Sequence, residues 1–226
     1  GGEDLYLVRL NSLGDVLWDK RFGGSGSDVG WSVKELANGG FIVAGVTDSF
    51  SFSDKREQAY ILVIDASGDL LWQNNYGNDL SQYGYDVEPA SNGDFVMSGY
   101  SSNLTSGYTY YLIRVSQNGQ LLWEKTFGST DSLFNRNDMV IDGDENYIIT
   151  GNKGFNVHLY RLNSSGDQLW FREFNWSTYL TICTASSVSL TADGGYLIAG
   201  SAWPNSGKDF LLIKTDSSGN ASPTGI

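Results

Sequence analysis

The chain has one cysteine, one histidine, three prolines and few cations, and each scarcity excludes something. Cys183 alone makes no intrachain disulfide framework, so a packed core must hold the fold unaided. It has no cationic neighbour in sequence and reads as a buried, inert thiol. His158 alone leaves no second imidazole for a zinc site or a triad, so its slot reads as packing or capping. The 14 Lys and Arg against 26 Asp and Glu give a formal charge of −12, which argues against nucleic acid and against anionic membrane surfaces. No signal peptide is evident, and no apolar run nears the ~18 residues that cross a bilayer, so membrane insertion is not expected. Apolar spacing of three and four over successive turns is missing too, so helices are not expected.

What the chain does have is repetition. Tyr60-Ile-Leu-Val-Ile-Asp-Ala-Ser-Gly-Asp-Leu-Leu-Trp72 returns as Tyr6 to Trp18, Tyr111 to Trp123, His158 to Trp170 and, in part, Phe210 to Gly219. A second unit returns as Asn38-Gly-Gly-Phe-Ile-Val-Ala-Gly45, Asn92 to Gly99, Asp144 to Gly151 and Asp193 to Gly200. Both recur about every 50 residues, the period of propeller blades. The 28 glycines and the period-two alternation fit short strands joined by turns.

The expected fold is therefore all-β, a β-propeller of four-stranded antiparallel blades, with four to five repeats over residues 1–219 and a linker over 220–226. Each repeat supplies strands A to D, as in Gly30 to Leu36, Phe41 to Thr47, Tyr60 to Ile64 and Leu70 to Tyr76. Seventeen strands result. That count fits a four-blade ring closed by the first D strand with one strand left over, or a piece of a larger propeller. The second reading is favoured because both ends fall inside a repeat and would leave sheet edges open to self-association. The A–B turns, such as Asn38-Gly39, suggest two-residue hairpins and share one end with the C–D turns. The B–C loops (Asp48 to Ala59, Ser101 to Thr109, Asn152 to Asn156, Ala202 to Lys208) and the D–A loops form the other, loop-rich end. Trp18, Trp72, Trp123 and Trp170 on strand D read as structural wedges.

The segment Asp65 to Trp72, Asp-x-x-Gly-x-x-x-Trp, resembles the tryptophan-docking motif of quinoprotein-like propellers. It lacks the threonine before the glycine, and its aspartate sits one residue closer. It differs from the sialidase Asp-box, where tryptophan follows glycine by three. A closer resemblance is to secreted bacterial repeat propellers whose repeats read Leu-Val-Arg-Leu-Asn-Ser-x-Gly-x-x-Leu-Trp, Phe-Gly-Gly-Ser-Gly-Ser-Asp and Gly-Gly-Phe-Ile-Val-Ala-Gly. Leu7 to Gly45 follows that pattern almost throughout. The resemblance implies an extracellular or cell-surface protein, similar to type IX secretion substrates of Bacteroidetes. The tail Asn220 to Ile226 looks like a linker toward a sorting domain.

Binding is expected on the loop-rich face, where Phe50, Phe52, Tyr83, Tyr108, Phe134, Trp176, Tyr179 and Trp203 offer a platform for a sugar ring or a protein partner. Glycoside hydrolysis would need paired carboxylates, for which Asp28, Asp79, Asp86, Asp131 and Asp138 are candidates. No spacing fixes any two of them. Asp142-Gly-Asp-Glu-Asn146 resembles part of a calcium loop but aligns with the Asn38-Gly39 hairpin and lacks the later glutamate. No cofactor is expected. Gly23 to Ser27 is glycine-rich without the lysine and helix of a phosphate loop. Arg9, Arg114, Arg161 and Lys214 share one slot on strand C and read as a solvated stripe or a cross-strand charge ladder. Asn103, Asn163, Asn175 and Asn220 head glycosylation sequons. The functional expectation is a non-catalytic binding or scaffold module, with a glycan-active hydrolase or lyase and a quinoprotein-like assembly scaffold as competitors.

Overall fold

The computed structural model describes residues 2–50, 57–78, 80–103, 107–130, 137–175, 182–203 and 207–221. Among them are strands only, seventeen in five antiparallel sheets. The first sheet holds β1 (Leu5–Leu10) and β2 (Val16–Phe22). The second runs in chain order through β3 (Asp28–Glu35), β4 (Phe41–Thr47), β5 (Gln58–Ile64) and β6 (Leu70–Tyr76). The third holds β7 (Gln82–Pro89), β8 (Phe95–Asn103), β9 (Gly107–Val115) and β10 (Leu121–Thr130). The fourth holds β11 (Asp138–Ile141), β12 (Tyr147–Lys153), β13 (Asn156–Leu162) and β14 (Gln168–Phe174), and the fifth β15 (Ile182–Leu190), β16 (Tyr196–Trp203) and β17 (Asp209–Thr215). Each complete sheet is the four-stranded meander of a propeller blade. β2 pairs with β1, so the first sheet is a two-stranded C–D ribbon.

The chain divides into two compact units, Gly1–Leu104 with Thr109–Thr126, and Thr105–Tyr108 with Phe127–Ile226. In the first unit both faces of the second sheet are covered. Tyr60, Leu62 and Ile64 point to a cluster with Leu5, Trp18 and Phe22, while Ala59, Ile61 and Val63 point to one with Val87, Met97 and Ile113. This is why strands B and C read as continuous apolar runs: alternate side chains enter different cores. In the second unit Ile148, Leu159, Ile198 and Ile213 build the equivalent core with Trp170 against it.

The turn chemistry explains the recurring motif. Asn11, Asp65, Asn163 and Asp216 each accept two amide hydrogens of their own turn, from residues two and four further on. The glycine at the end of the turn takes a positive φ, +80° at Gly68 and Gly119 and +78° at Gly219. It also lies against an indole of the preceding repeat: a Cβ at Gly68, Gly119 or Gly219 would come within about 3 Å of Trp18, Trp72 or Trp170 respectively. The indole N–H then donates to the turn, Trp18 to the carbonyl of Ala66 at 3.1 Å and Trp72 to that of Gln117 at 2.9 Å. Such burial of an indole stabilises by a few kcal/mol.

Two expectations about connections change. The A–B hairpins are three-residue loops, with Gly39 N donating to Leu36 O and Leu36 N to Gly40 O, and only the third loop residue left-handed. A two-residue type I′ turn would need a positive φ at Asn38 as well, which it lacks. The B–C connections also depart from their expected bounds among the described residues. β8 and β9 extend into 101–109, and Lys153 pairs with Asn156 across a tight turn, because ladder pairing continues past the last apolar residue.

A bulge recurs where strand A meets strand B, between Gly30 and Ser32, Gly84 and Asp86, and Ala185 and Ser187. It pushes a carbonyl onto the partner strand, so a Cβ at Gly45, Gly99 or Gly200 would stand 1.9, 1.6 or 1.8 Å from the oxygen of Val29, Tyr83 or Thr184. This close approach accounts for the glycine that ends the second repeated unit.

Three members of the cation slot on strand C form ion pairs to the A–B turn of the same sheet. Arg114 meets Asp94 at 3.0 Å, Arg161 meets Asp142 at 2.8 Å and Lys214 meets Asp193 at 2.8 Å. The Lys214 ammonium, with Thr191, holds the Asp193 carboxyl well below the usual range.

Candidate functional site

One cavity in the second unit brings the lone histidine to a carboxylate and a lysine. It has a volume of about 290 Å³ and is lined by Ser129, Lys153, His158, Tyr160, Phe171 and Glu173 among others. β12 and β13 pair so that Gly151 lies opposite His158, and β13 and β14 pair so that Glu173 lies opposite it on the other side. His158 therefore sits between a residue with no side chain and a carboxylate, and its Nε2 is 3.1 Å from Glu173 Oε2.

The histidine stands where other repeats carry tyrosine. Tyr6, Tyr60 and Tyr111 send their hydroxyls to Asp19, Gln73 and Glu124, all on the neighbouring D strand. The shorter imidazole reaches the residue directly across instead. Around it stand aromatic edges: Phe171 at 5.0 Å and Tyr160 at 6.0 Å, both T-shaped, with Phe127 against Tyr160 at 5.0 Å. Burial, with the Glu173 charge adding to it, pushes the Tyr160 phenol up to about 12, so it stays protonated near neutrality. At the rim, exposed Lys153 donates to Ser129 Oγ at 2.7 Å. The cavity thus joins a cation, a carboxylate, an imidazole and two hydroxyls to aromatic walls.

Four of the aromatics expected to form a platform lie among the described residues. Phe50 stacks on Tyr60 with centroids 6.0 Å apart and packs against the core. Tyr83 lies on β7, stacked on Tyr85 at 6.2 Å, with its hydroxyl donating to Glu57. Tyr108 is half-buried on β9 instead of in a loop, and Trp203 ends β16 with the Lys208 ammonium 4.7 Å over its ring. None of these four lines the His158 cavity. Phe52, Phe134, Trp176 and Tyr179 lie outside the described residues, as do Asp79 and Asp131.

The remaining carboxylates brace strands. Asp28 accepts from Thr47 Oγ1, from Ser49 Oγ at 2.6 Å and from Gly24 N at 2.8 Å. Asp86 accepts from Ser32 Oγ at 2.6 Å, and Asp138 accepts from Val188 N at 2.7 Å and Ser187 Oγ at 3.1 Å. Asp142 is taken up by Arg161, by Asn146 and by its own turn amides, which leaves a poor donor set for calcium. No group of three metal-ligating side chains occurs among the described residues. Cys183 is buried, and burial pushes its thiol up, as expected of an inert cysteine.

Sequence reasoning missed Lys153, Ser129, Phe171 and Glu173. The available signal was His158 itself, the one departure from tyrosine in its slot among the first four repeats, with an acid placed to oppose it.

No protein-family model matches the sequence, and no curated protein does. Solved structures do. A protein of unknown function from Bacteroides caccae matches with TM-score 0.61 and 16% identity, over 94% of this chain and 71% of that one. One from Dyadobacter fermentans, also of unknown function, matches with TM-score 0.57 and 11% identity, over 92% and 66%. An exo-β-1,3-galactanase from Phanerochaete chrysosporium matches with TM-score 0.49 and 14% identity, over 96% and 53%. At such identities the likeness extends to the fold alone.

Proposed function

We propose that this chain is a non-catalytic binding module that takes one residue of a glycan in the His158 cavity. The observation that carries this reading is the composition of the cavity wall. A sugar presents hydroxyls that both donate and accept beside an apolar C–H face. Lys153, Ser129 and the protonated Tyr160 supply hydroxyl or ammonium donors, Glu173 accepts, and Phe171 offers an apolar wall. Its volume, about 290 Å³, is at the small end of ligand pockets.

Binding is favoured over hydrolysis because Glu173 is the sole carboxylate among the described lining residues. Glycoside cleavage ordinarily needs two, flanking the scissile bond. Asp28, Asp86 and Asp138 are engaged in bracing, as described above. A secreted or cell-surface setting, with type IX export, belongs to the same reading and rests on the repeat resemblance.

The test is a glycan array followed by calorimetry on the ligands retained. Lys153→Ala and Glu173→Gln should each weaken binding by roughly tenfold or more, the loss expected for a hydrogen bond to a charged group. Tyr83→Ala and Trp203→Ala should leave it unchanged. The opposite pattern, loss at Tyr83 or Trp203 with Lys153→Ala silent, would move the site to the aromatic residues and refute the cavity.

A further inference from the structure

Two residues before the turn glycine, each C–D turn presents a carbonyl in the same place, and the repeats differ in what that carbonyl receives. Ala66 O takes the Trp18 indole at 3.1 Å and the Arg9 guanidinium at 2.7 Å, and Gln117 O takes the Trp72 indole at 2.9 Å. In the second unit the same carbonyl belongs to Ser217, and the indole before it is Trp170. That ring sits differently on its turn: a Cβ at Gly219 would meet its Cη2 and Cζ3 atoms at 2.8 Å, where one at Gly68 would meet Cδ2 and Cε3 of Trp18. Among the described residues Ser217 O receives only the Tyr196 hydroxyl, at 3.5 Å, well beyond the ~2.8 Å usual for such a donor.

Arg161 is underused in the same place. Arg9 reaches the carbonyl of the next repeat, whereas Arg161 turns to Asp142 at 2.8 Å, with Asp144 at 3.9 Å. Both contacts use Nη2. Nη1 has no protein partner among the described residues, and Nε is buried with none, so donors remain that folding leaves unsatisfied. Arg161 and Ser217 line one cavity of about 400 Å³, with Asp142, Asp144, Leu190 and Tyr196 among its other walls. Leu190 is 44% exposed and gives it an apolar side.

We propose that this cavity is a second sugar site, selective for the acetamido group of an N-acetylated hexose. An acetamido group presents one acceptor, one donor and one methyl. Its carbonyl accepts from the Arg161 guanidinium, its N–H donates to Ser217 O, and its methyl lies on Leu190. Charge decides against an anion. Two carboxylates already flank the one guanidinium, so a phosphate or carboxylate ligand is repelled and a neutral one is not. The volume lies within the range of small-ligand sites. The site uses no residue of the His158 cavity, so it stands or falls apart from the binding proposed there.

The test is a titration of methyl N-acetyl-β-D-glucosaminide into the full chain, followed by amide NMR shifts. Gly143, Thr191, Gly194 and Ser217, which line the cavity, should shift saturably, and the parent methyl β-D-glucoside should bind at least tenfold more weakly. Arg161→Lys keeps the ion pair, as Lys214 does with Asp193, and should weaken binding roughly tenfold by removing the spare donors. Leu190→Ser alters an exposed side chain outside that ion pair and should weaken it severalfold. Lys153→Ala, which disables the His158 cavity, should leave all four shifts in place. The absence of saturable shifts at these amides would overturn the inference. So would an equal response to the glucoside, unaltered affinity in both Arg161→Lys and Leu190→Ser, or loss of the shifts in Lys153→Ala.

Discussion

At the scale of single residues, Glu145 is out of place. It takes φ +60° at the turn position that Gly39, Gly93 and Gly194 fill at +79°, +85° and +80°. A side chain there costs about 1 kcal/mol relative to glycine, partly offset by the larger entropy glycine has when unfolded. Glu145→Gly is therefore expected to raise stability by roughly 0.5 kcal/mol, read as a higher urea midpoint at unchanged slope. A lower midpoint would refute the left-handed assignment. The residue type gave no warning, since glutamate rarely adopts that conformation; only the alignment of Asp142 to Asn146 with the other turns hinted at it. His158 was more legible. Its singular place in a tyrosine slot marked it, but the partner that gives it a role follows from the pairing register of β13 and β14.

At the scale of elements, the repeated turn and the indole above it act as one unit. Gly119→Ala places a Cβ 2.9 Å from the Trp72 ring at φ +80°, so it meets both backbone strain and a clash. A loss of about 2 kcal/mol or more is expected, whereas Leu13→Ala, at 85% exposure, should stay within about 0.5 kcal/mol. Denaturant unfolding of the two variants decides it, and equal effects would mean that the tryptophan does not dock there. The strands themselves were plain in the sequence: β4 and β6 fall at their expected bounds. Which turn each tryptophan covers was not, because the contact joins successive repeats. Asn38-Gly39 pointed to a two-residue hairpin. The three-residue loop forms instead, with the ladder fixed by apolar side chains on both faces, the stronger determinant of register.

At the scale of the whole molecule, composition and period were enough for an all-β chain of blades, while the candidate site was hardly legible. Lys153 and Ser129 belong to no repeated motif, and their meeting depends on how strand ends converge. Of the aromatics that stood out in sequence, Phe50 is taken up by packing on Tyr60. With a formal charge of −12, the glycan proposed above is expected to be neutral or cationic, since polyanions would be repelled. Non-catalytic recognition is tested most directly by incubating the tightest-bound oligosaccharide with the chain and following product masses and reducing ends. The ligand should bind saturably and be recovered intact; cleavage that Glu173→Gln abolishes would contradict the binding role and make Glu173 part of an enzyme.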